Sequence, residues 1–123
     1  MPDSPPLRVF LVEDHPWLLE THARAINLQP DLEVCGTATT GAAALDGVPS
    51  DADVVLVDLR LPDMAGLDVI RALAARQPPP ACLVVSARPA VEAAAASLEA
   101  GAHAYVEKGD AGALFAAIRA CRP

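Results

Sequence analysis

The chain holds 123 residues, 53% of them hydrophobic and 3% aromatic, with 9 Lys+Arg against 16 Asp+Glu and a formal charge of −7. That length and balance fit one globular domain whose core needs no disulfide or metal staple, and they exclude a disordered chain. A pI near 4.7 excludes nucleic-acid binding by this domain itself, because phosphate contacts need a basic surface.

Residues 1–6, Met-Pro-Asp-Ser-Pro-Pro, have neither a basic start nor an apolar stretch, so they form no secretory signal and read as a short disordered lead-in. Leu7–Val12 is an apolar run of the length of a buried parallel strand, ending in Glu13-Asp14. Pro16 suits a first helical turn, and Leu18, His22, Ala25 and Ile26 follow at helical spacing until Pro30-Asp31. Leu32–Thr37 is a second strand, Gly41–Leu45 a short alanine-rich helix, and Gly47, Pro49 and Ser50 a break. Val54–Val57 is the clearest strand, β-branched and apolar, ending at Asp58. Leu59–Ala65 reads as a loop. Leu67, Ile70 and Ala74 mark a helix that stops before Pro78-Pro79-Pro80, and Cys82–Val85 is a strand ending at Ser86. Val91, Ala94, Ala95 and Leu98 recur at i, i+3, i+4 and i+7, so Pro89–Ala100 is a helix closed by Gly101. Ala104–Val106 is the fifth strand, before Glu107-Lys108, and Leu114, Ala117, Ile118 and Cys121 mark the last helix.

Five strand–helix repeats imply a parallel sheet with helices on both faces and right-handed crossovers. The strands of such a sheet end at one shared edge, where ligands of open α/β folds bind. Glu13, Asp14, Asp58, Ser86 and Lys108 all follow strand ends, so they can converge there although far apart in sequence. Three carboxylates in one place repel unless neutralised. Oxygen-only ligands with room for water suit Mg²⁺. An ammonium and a hydroxyl beside such a metal suit a phosphoryl group, and a carboxylate can be its nucleophile. Lys108 is the only lysine among the nine basic residues.

Other groups read as structural. Cys35, Cys82 and Cys121 are odd in number and lie far apart, with no zinc spacing, so they read as bystander thiols of a reducing cytosol. Asp51-Ala52-Asp53 precedes its strand and therefore lies at the wrong edge for a metal site. His15 and His22 lack a second ligand at zinc spacing and read as surface polar groups. Glu13-Asp14 could alternatively cap the first helix. Trp17 reads as packed. No apolar run is long enough for a membrane span, and the domain reads as cytoplasmic.

Four segments resemble the receiver (CheY-like) domain of two-component response regulators. They are Val9–Pro16, Val54–Asp68, Leu83–Ala87 and Gly101–Lys108, in order and at the family's spacing. The resemblance implies a flavodoxin-like (βα)5 three-layer sandwich with strand order 2-1-3-4-5, the receiver domain spanning residues 7–123. It implies Asp58 as phospho-acceptor, with Mg²⁺ (or Mn²⁺) on Glu13, Asp14, Asp58 and the backbone carbonyl of Arg60. Lys108 would pair with the phosphoryl group, and Ser86 and Tyr105 would be the switch residues. The partner would be a histidine kinase or histidine phosphotransfer protein. The switched surface would run from the fourth helix to the fifth, roughly Pro89 to Cys121, with Glu92, Glu99 and Arg119 as contacts and homodimerisation as a family behaviour. Glu13-Asp14-His15-Pro16 and Lys108-Gly109 are similar to receivers that precede LuxR-type helix-turn-helix domains, so DNA binding would belong to an output domain after Pro123. Gly109 replaces the family's common proline, and His103 replaces a common aspartate, read as a surface change of little consequence. Arg60 and Arg88 flank the site and are candidates to tune the phosphoaspartate lifetime. The alternatives are a pseudo-receiver acting as a constitutive interaction module, and an unrelated phosphatase or flavin carrier. The phosphatase lacks a second Asp two residues after Asp58. The flavin carrier lacks a Ser/Thr-rich phosphate loop after the first strand.

Overall fold

The computed structural model describes residues 4–122. Met1–Asp3, half of the expected lead-in, lie outside the described residues. The elements alternate as β1 (Leu7–Val12), α1 (Pro16–Asn27), β2 (Leu32–Ala38), α2 (Gly41–Gly47), β3 (Val54–Val57), α3 (Gly66–Ala74), β4 (Ala81–Ser86), α4 (Ala90–Ala100), β5 (Ala104–Glu107) and α5 (Ala111–Arg119). The sheet is parallel in the order β2-β1-β3-β4-β5, the flavodoxin-like arrangement expected.

Strand alternation divides the core in two. Leu7, Val9, Leu11, Val54, Leu56, Leu83, Val85 and Val106 meet Ile26 of α1 and Leu114 and Ile118 of α5. Phe10, Val12, Val55, Val57, Cys82 and Val84 meet Ala44 of α2, Val69, Ile70 and Leu73 of α3, and Ala100 of α4. Strands covered on both faces read as continuous apolar runs, which is why β1, β3 and β4 stand out in the sequence.

The α4 helix is as expected but shows which of its faces is buried, and the expected packing of Trp17 is overturned. Helix α4 is present and Gly101 closes it, but the recurrence that revealed it points outward. Val91 is 94% exposed and Leu98 50%, while Ala93, Ser97 and Ala100 form the buried face. Alanine is small enough to let α4 approach the sheet, so the larger residues are left facing water. Trp17 is not packed but 68% exposed, because it follows Pro16 at the outer start of α1.

Burial also pushes the Cys82 thiol up to about 12, which suits the bystander reading of that cysteine. No described helix is long and apolar enough to cross a membrane.

A candidate phosphoryl-acceptor site at the sheet edge

The ladder of the sheet continues one residue past several strand ends, and this positions the site. Glu13 N–H donates to Ala38 O at 3.0 Å, Asp58 N–H to Val12 O at 3.1 Å, and Lys108 N–H to Ser86 O at 2.8 Å. The backbones of Glu13, Asp58 and Lys108 are thereby held by pairing with a neighbouring strand.

Lys108 Nζ lies 2.8 Å from Glu13 Oε1 and 2.9 Å from Asp58 Oδ2. One oxygen from each of Glu13, Asp14 and Asp58 falls within 4.8 Å of the others. Glu13 is only 5% exposed, whereas Asp14 opens to water. Burial raises the Glu13 pKa above its ordinary value and the Asp58 charge adds to this, while the Lys108 bond opposes both. Burial alone would lower Lys108, but its bonds to Glu13 and Asp58 outweigh that and hold it above its ordinary value. Oxygen donors, one of them solvated, fit a hard divalent cation that keeps water ligands.

An open cleft of about 460 Å³ lies over Asp58, bounded by Asp14, Arg60, Ser86, Arg88 and Lys108. Ser86 is buried, and its Oγ accepts from Arg88 N–H at 3.1 Å. Tyr105 packs partly against the core beneath α4, and its hydroxyl donates to Arg88 O at 2.8 Å. Arg60 is exposed and forms an isolated antiparallel bridge with Ala65, inside the segment read as a loop. Gly109 has φ of 97°, which a proline ring cannot adopt, so a proline there would force a different loop after Lys108.

The helix-cap alternative for Glu13-Asp14 resolves differently. His15 is the N-cap, its Nδ1 accepting from Leu18 N–H at 3.4 Å, and Glu13 Oε2 accepts from His15 N–H at 3.2 Å. His22 is not a surface group. It is half-buried beneath the site, in the wall of a small cavity it shares with Glu13 and Asp58. Burial lowers its pKa, and nearby Lys108 adds to the shift. Asp51 and Asp53 do sit at the opposite edge, where Asp53 Oδ2 accepts from Arg8 N–H at 2.8 Å and Asp51 lies 3.3 Å from Arg8 Nε. His103 has a structural use after all: its Nδ1 accepts from Cys82 N–H at 3.3 Å, a bond a carboxylate at that position could also accept. Arg119 is not a free contact of the α4–β5–α5 surface. It grips Asp31 through Nε at 2.8 Å and Nη2 at 3.0 Å, tying α5 to the α1–β2 turn.

Sequence reasoning missed three supporting residues. Asp63 accepts from Gly41 N–H at 2.7 Å and Ala42 N–H at 2.9 Å, capping α2 from the β3–α3 loop. Glu107 Oε2 accepts from Ala90 N–H at 2.8 Å, at the start of α4. A Cβ on Gly66 would fall on the Asp58 carbonyl oxygen and the Leu59 Cα. Only the glycine had a local signal, since it sits just before a helical pattern.

Residues 9–119 match the response regulator receiver domain family. The chain is 34% identical over 122 residues to the nitrate/nitrite response regulator protein NarP of Escherichia coli, covering 98% of this chain and 57% of that protein. It is 36% identical over 103 residues to the DNA-binding transcriptional activator DevR/DosR of Mycobacterium tuberculosis, covering 83% and 48%. The chain thus spans about half the length of these curated relatives. A LuxR-family two-component response regulator from Aurantimonas superposes with a TM-score of 0.86 at 30% identity, covering 94% of this chain and 84% of that one. The signal receiver domain of a NarL response regulator from Mycobacterium tuberculosis gives 0.84 at 30%, covering 94% and 98%.

Proposed function

The chain belongs to the response regulator receiver domain family, the signalling domains of two-component systems, and from that premise we propose that it accepts a phosphoryl group on Asp58 from a phosphohistidine. The observation that carries this reading is the Lys108 ammonium held 2.9 Å from Asp58 and 2.8 Å from Glu13, in a cleft open to solvent.

A carboxylate oxygen of Asp58 attacks phosphorus in line. The O–P bond forms as the P–N bond breaks, and that bond's electron pair stays on the departing imidazole of the donor. Lys108 turns from Asp58 towards the phosphoryl oxygens and offsets their charge. The Ser86 oxygen already accepts from Arg88, so its O–H is free to donate to a phosphoryl oxygen. Glu13, Asp14, Asp58 and the Arg60 carbonyl would hold Mg²⁺ or Mn²⁺, which when bound neutralises the converging oxygens. The domain assists its own phosphorylation and dephosphorylation but turns over no separate substrate.

The consequence is a switch. Charge arriving at Asp58 draws Ser86, the Arg88 peptide shifts, and Tyr105 follows, altering the α4–β5–α5 surface for a partner or a second copy. The outward Val91 and Leu98 give that surface apolar anchors. Its partners are then a histidine kinase or phosphotransfer protein in the cytoplasm. DNA is contacted only through an output domain, as the name of the DevR/DosR relative suggests.

The test is intact-mass spectrometry after incubation with acetyl phosphate, with and without Mg²⁺, on wild type and Asp58→Asn. A Mg²⁺-dependent gain of one phosphoryl group, absent in the variant, is expected. No gain in folded wild type that binds Mg²⁺ would refute small-donor phosphorylation. No gain together with no Mg²⁺ binding would favour the constitutive interaction module.

A further inference from the structure

The stretch from the end of β4 to the start of α4 is held to β5 and the residue after it at three points: Lys108 N–H on Ser86 O, the Tyr105 hydroxyl on Arg88 O, and Ala90 N–H on Glu107 Oε2, each at 2.8 Å. The third bond closes a gap in the chain's own design. Helix α4 follows Pro89, which has no side-chain acceptor, and no side chain of its own N-terminus caps it. A helix start leaves backbone N–H groups unpaired and carries partial positive charge. Glu107 supplies the acceptor from a different element and adds its charge to that of Glu92, which lies in the first turn itself. It is also the residue immediately before Lys108, and the two side chains part in different directions. The Lys108 ammonium reaches Glu13 and Asp58, while the Glu107 carboxylate reaches α4.

We propose that Glu107 is the positioning residue that joins the phosphoryl-sensing lysine to α4, acting as that helix's N-terminal cap from the neighbouring strand. The proposal rests on the reading of Asp58 as acceptor. When Lys108 leaves Asp58 Oδ2 for a phosphoryl oxygen, the rigid peptide between Glu107 and Lys108 transmits the displacement. The Glu107 carboxylate then shifts against the first turn of α4, so that turn senses the state of the site. This route is separate from the Ser86–Arg88–Tyr105 route, because it reaches Ala90 without passing through Arg88.

The experiment measures amide exchange at Ala90–Ala93 by NMR in wild type, Glu107→Leu and Glu107→Gln. Each is examined in the free form and with Mg²⁺ plus beryllofluoride as the phosphoryl mimic. Acetyl phosphate uptake is followed by intact mass in parallel. In the free form, Glu107→Leu exchanges Ala90 about fivefold faster, the change expected for losing a cap of ordinary strength. Glu107→Gln, which keeps an acceptor oxygen, restores most of the protection. With beryllofluoride, the first turn responds in wild type and not in Glu107→Leu, although both take up the phosphoryl group equally. Wild-type exchange at Ala90 in Glu107→Leu would overturn the cap. A wild-type response to beryllofluoride in that variant would overturn the coupling. Absence in wild type of both acetyl phosphate uptake and any response to beryllofluoride would instead refute the reading of Asp58 and the coupling with it, while the free-form comparison would still decide the cap.

Discussion

Ser86 and Tyr105 hold the two ends of one residue. Arg88 donates its N–H to Ser86 Oγ at 3.1 Å, and its carbonyl accepts from the Tyr105 hydroxyl at 2.8 Å. A movement of the serine is therefore felt by the tyrosine through the backbone of one residue. Ser86→Ala removes the first of these bonds from a buried position and is expected to cost about 1 kcal/mol in urea unfolding. The variant should still gain mass with acetyl phosphate, while the Tyr105 ring resonances lose their response to beryllofluoride. Retention of that response would show that the tyrosine is moved by another route.

Lys108→Met should destabilise the metal-free protein by about 2–3 kcal/mol at neutral pH, because it leaves Glu13 and Asp58 facing each other without a cation. The pH dependence has a definite sign. Burial already lifts Glu13 above its ordinary 4.5, and losing the ammonium lifts it further. A carboxyl whose folded value lies above its unfolded one favours the fold when protonated, below the unfolded value. It loses that contribution as pH rises through the folded value. The deficit of the variant should therefore be widest near neutrality and shrink in acid, read as paired urea curves across pH.

Asp63 behaves in the opposite sense. The Ala42 and Gly41 N–H groups hold its carboxylate below the ordinary 3.8. The stability it contributes is present above the unfolded value and lost as pH falls through the folded one. Asp63→Ala should thus be less stable than wild type at neutral pH, and the two melting curves should converge in acid below that range. A gap that persists unchanged in acid would mean that the cap is not what the variant loses.

Gly66→Ala puts a methyl group onto the Asp58 carbonyl, a backbone atom that cannot swing aside. Relief requires moving either the α3 start or the residue that carries the acceptor carboxylate. A loss of about 2 kcal/mol is expected, as for other overpacked sites. Slower phosphoryl uptake should accompany it, and a variant with wild-type stability would disprove the close approach.

The fold was legible because β1, β3 and β4 are buried on both faces, which makes them apolar runs, interrupted only by Arg8 in β1, that end in polar residues. Glu13, Asp14, Asp58, Ser86 and Lys108 were legible for the same reason. Each stands at or just past a strand end, and parallel strands share an edge. The helical period of α4 was legible but its buried side was not, because an alanine-rich helix offers little contrast between its faces. Its larger residues mark the helical period without marking the buried side. Trp17 was misread because size alone does not say which way the first turn after Pro16 faces.

The order of elements, the parallel sheet and the set of polar residues at its edge depend on local pattern and chain direction, and could be read before folding was considered. Contacts between partners distant in the chain could not. Asp63 caps α2 from 21 and 22 residues away, Glu107 caps α4 from 17, and Arg119 grips Asp31 across 88. Such bonds have no period and no fixed spacing. They exist because folding brings an unpaired N–H or a charge beside a residue that can satisfy it, and the cost of leaving it unpaired keeps them there.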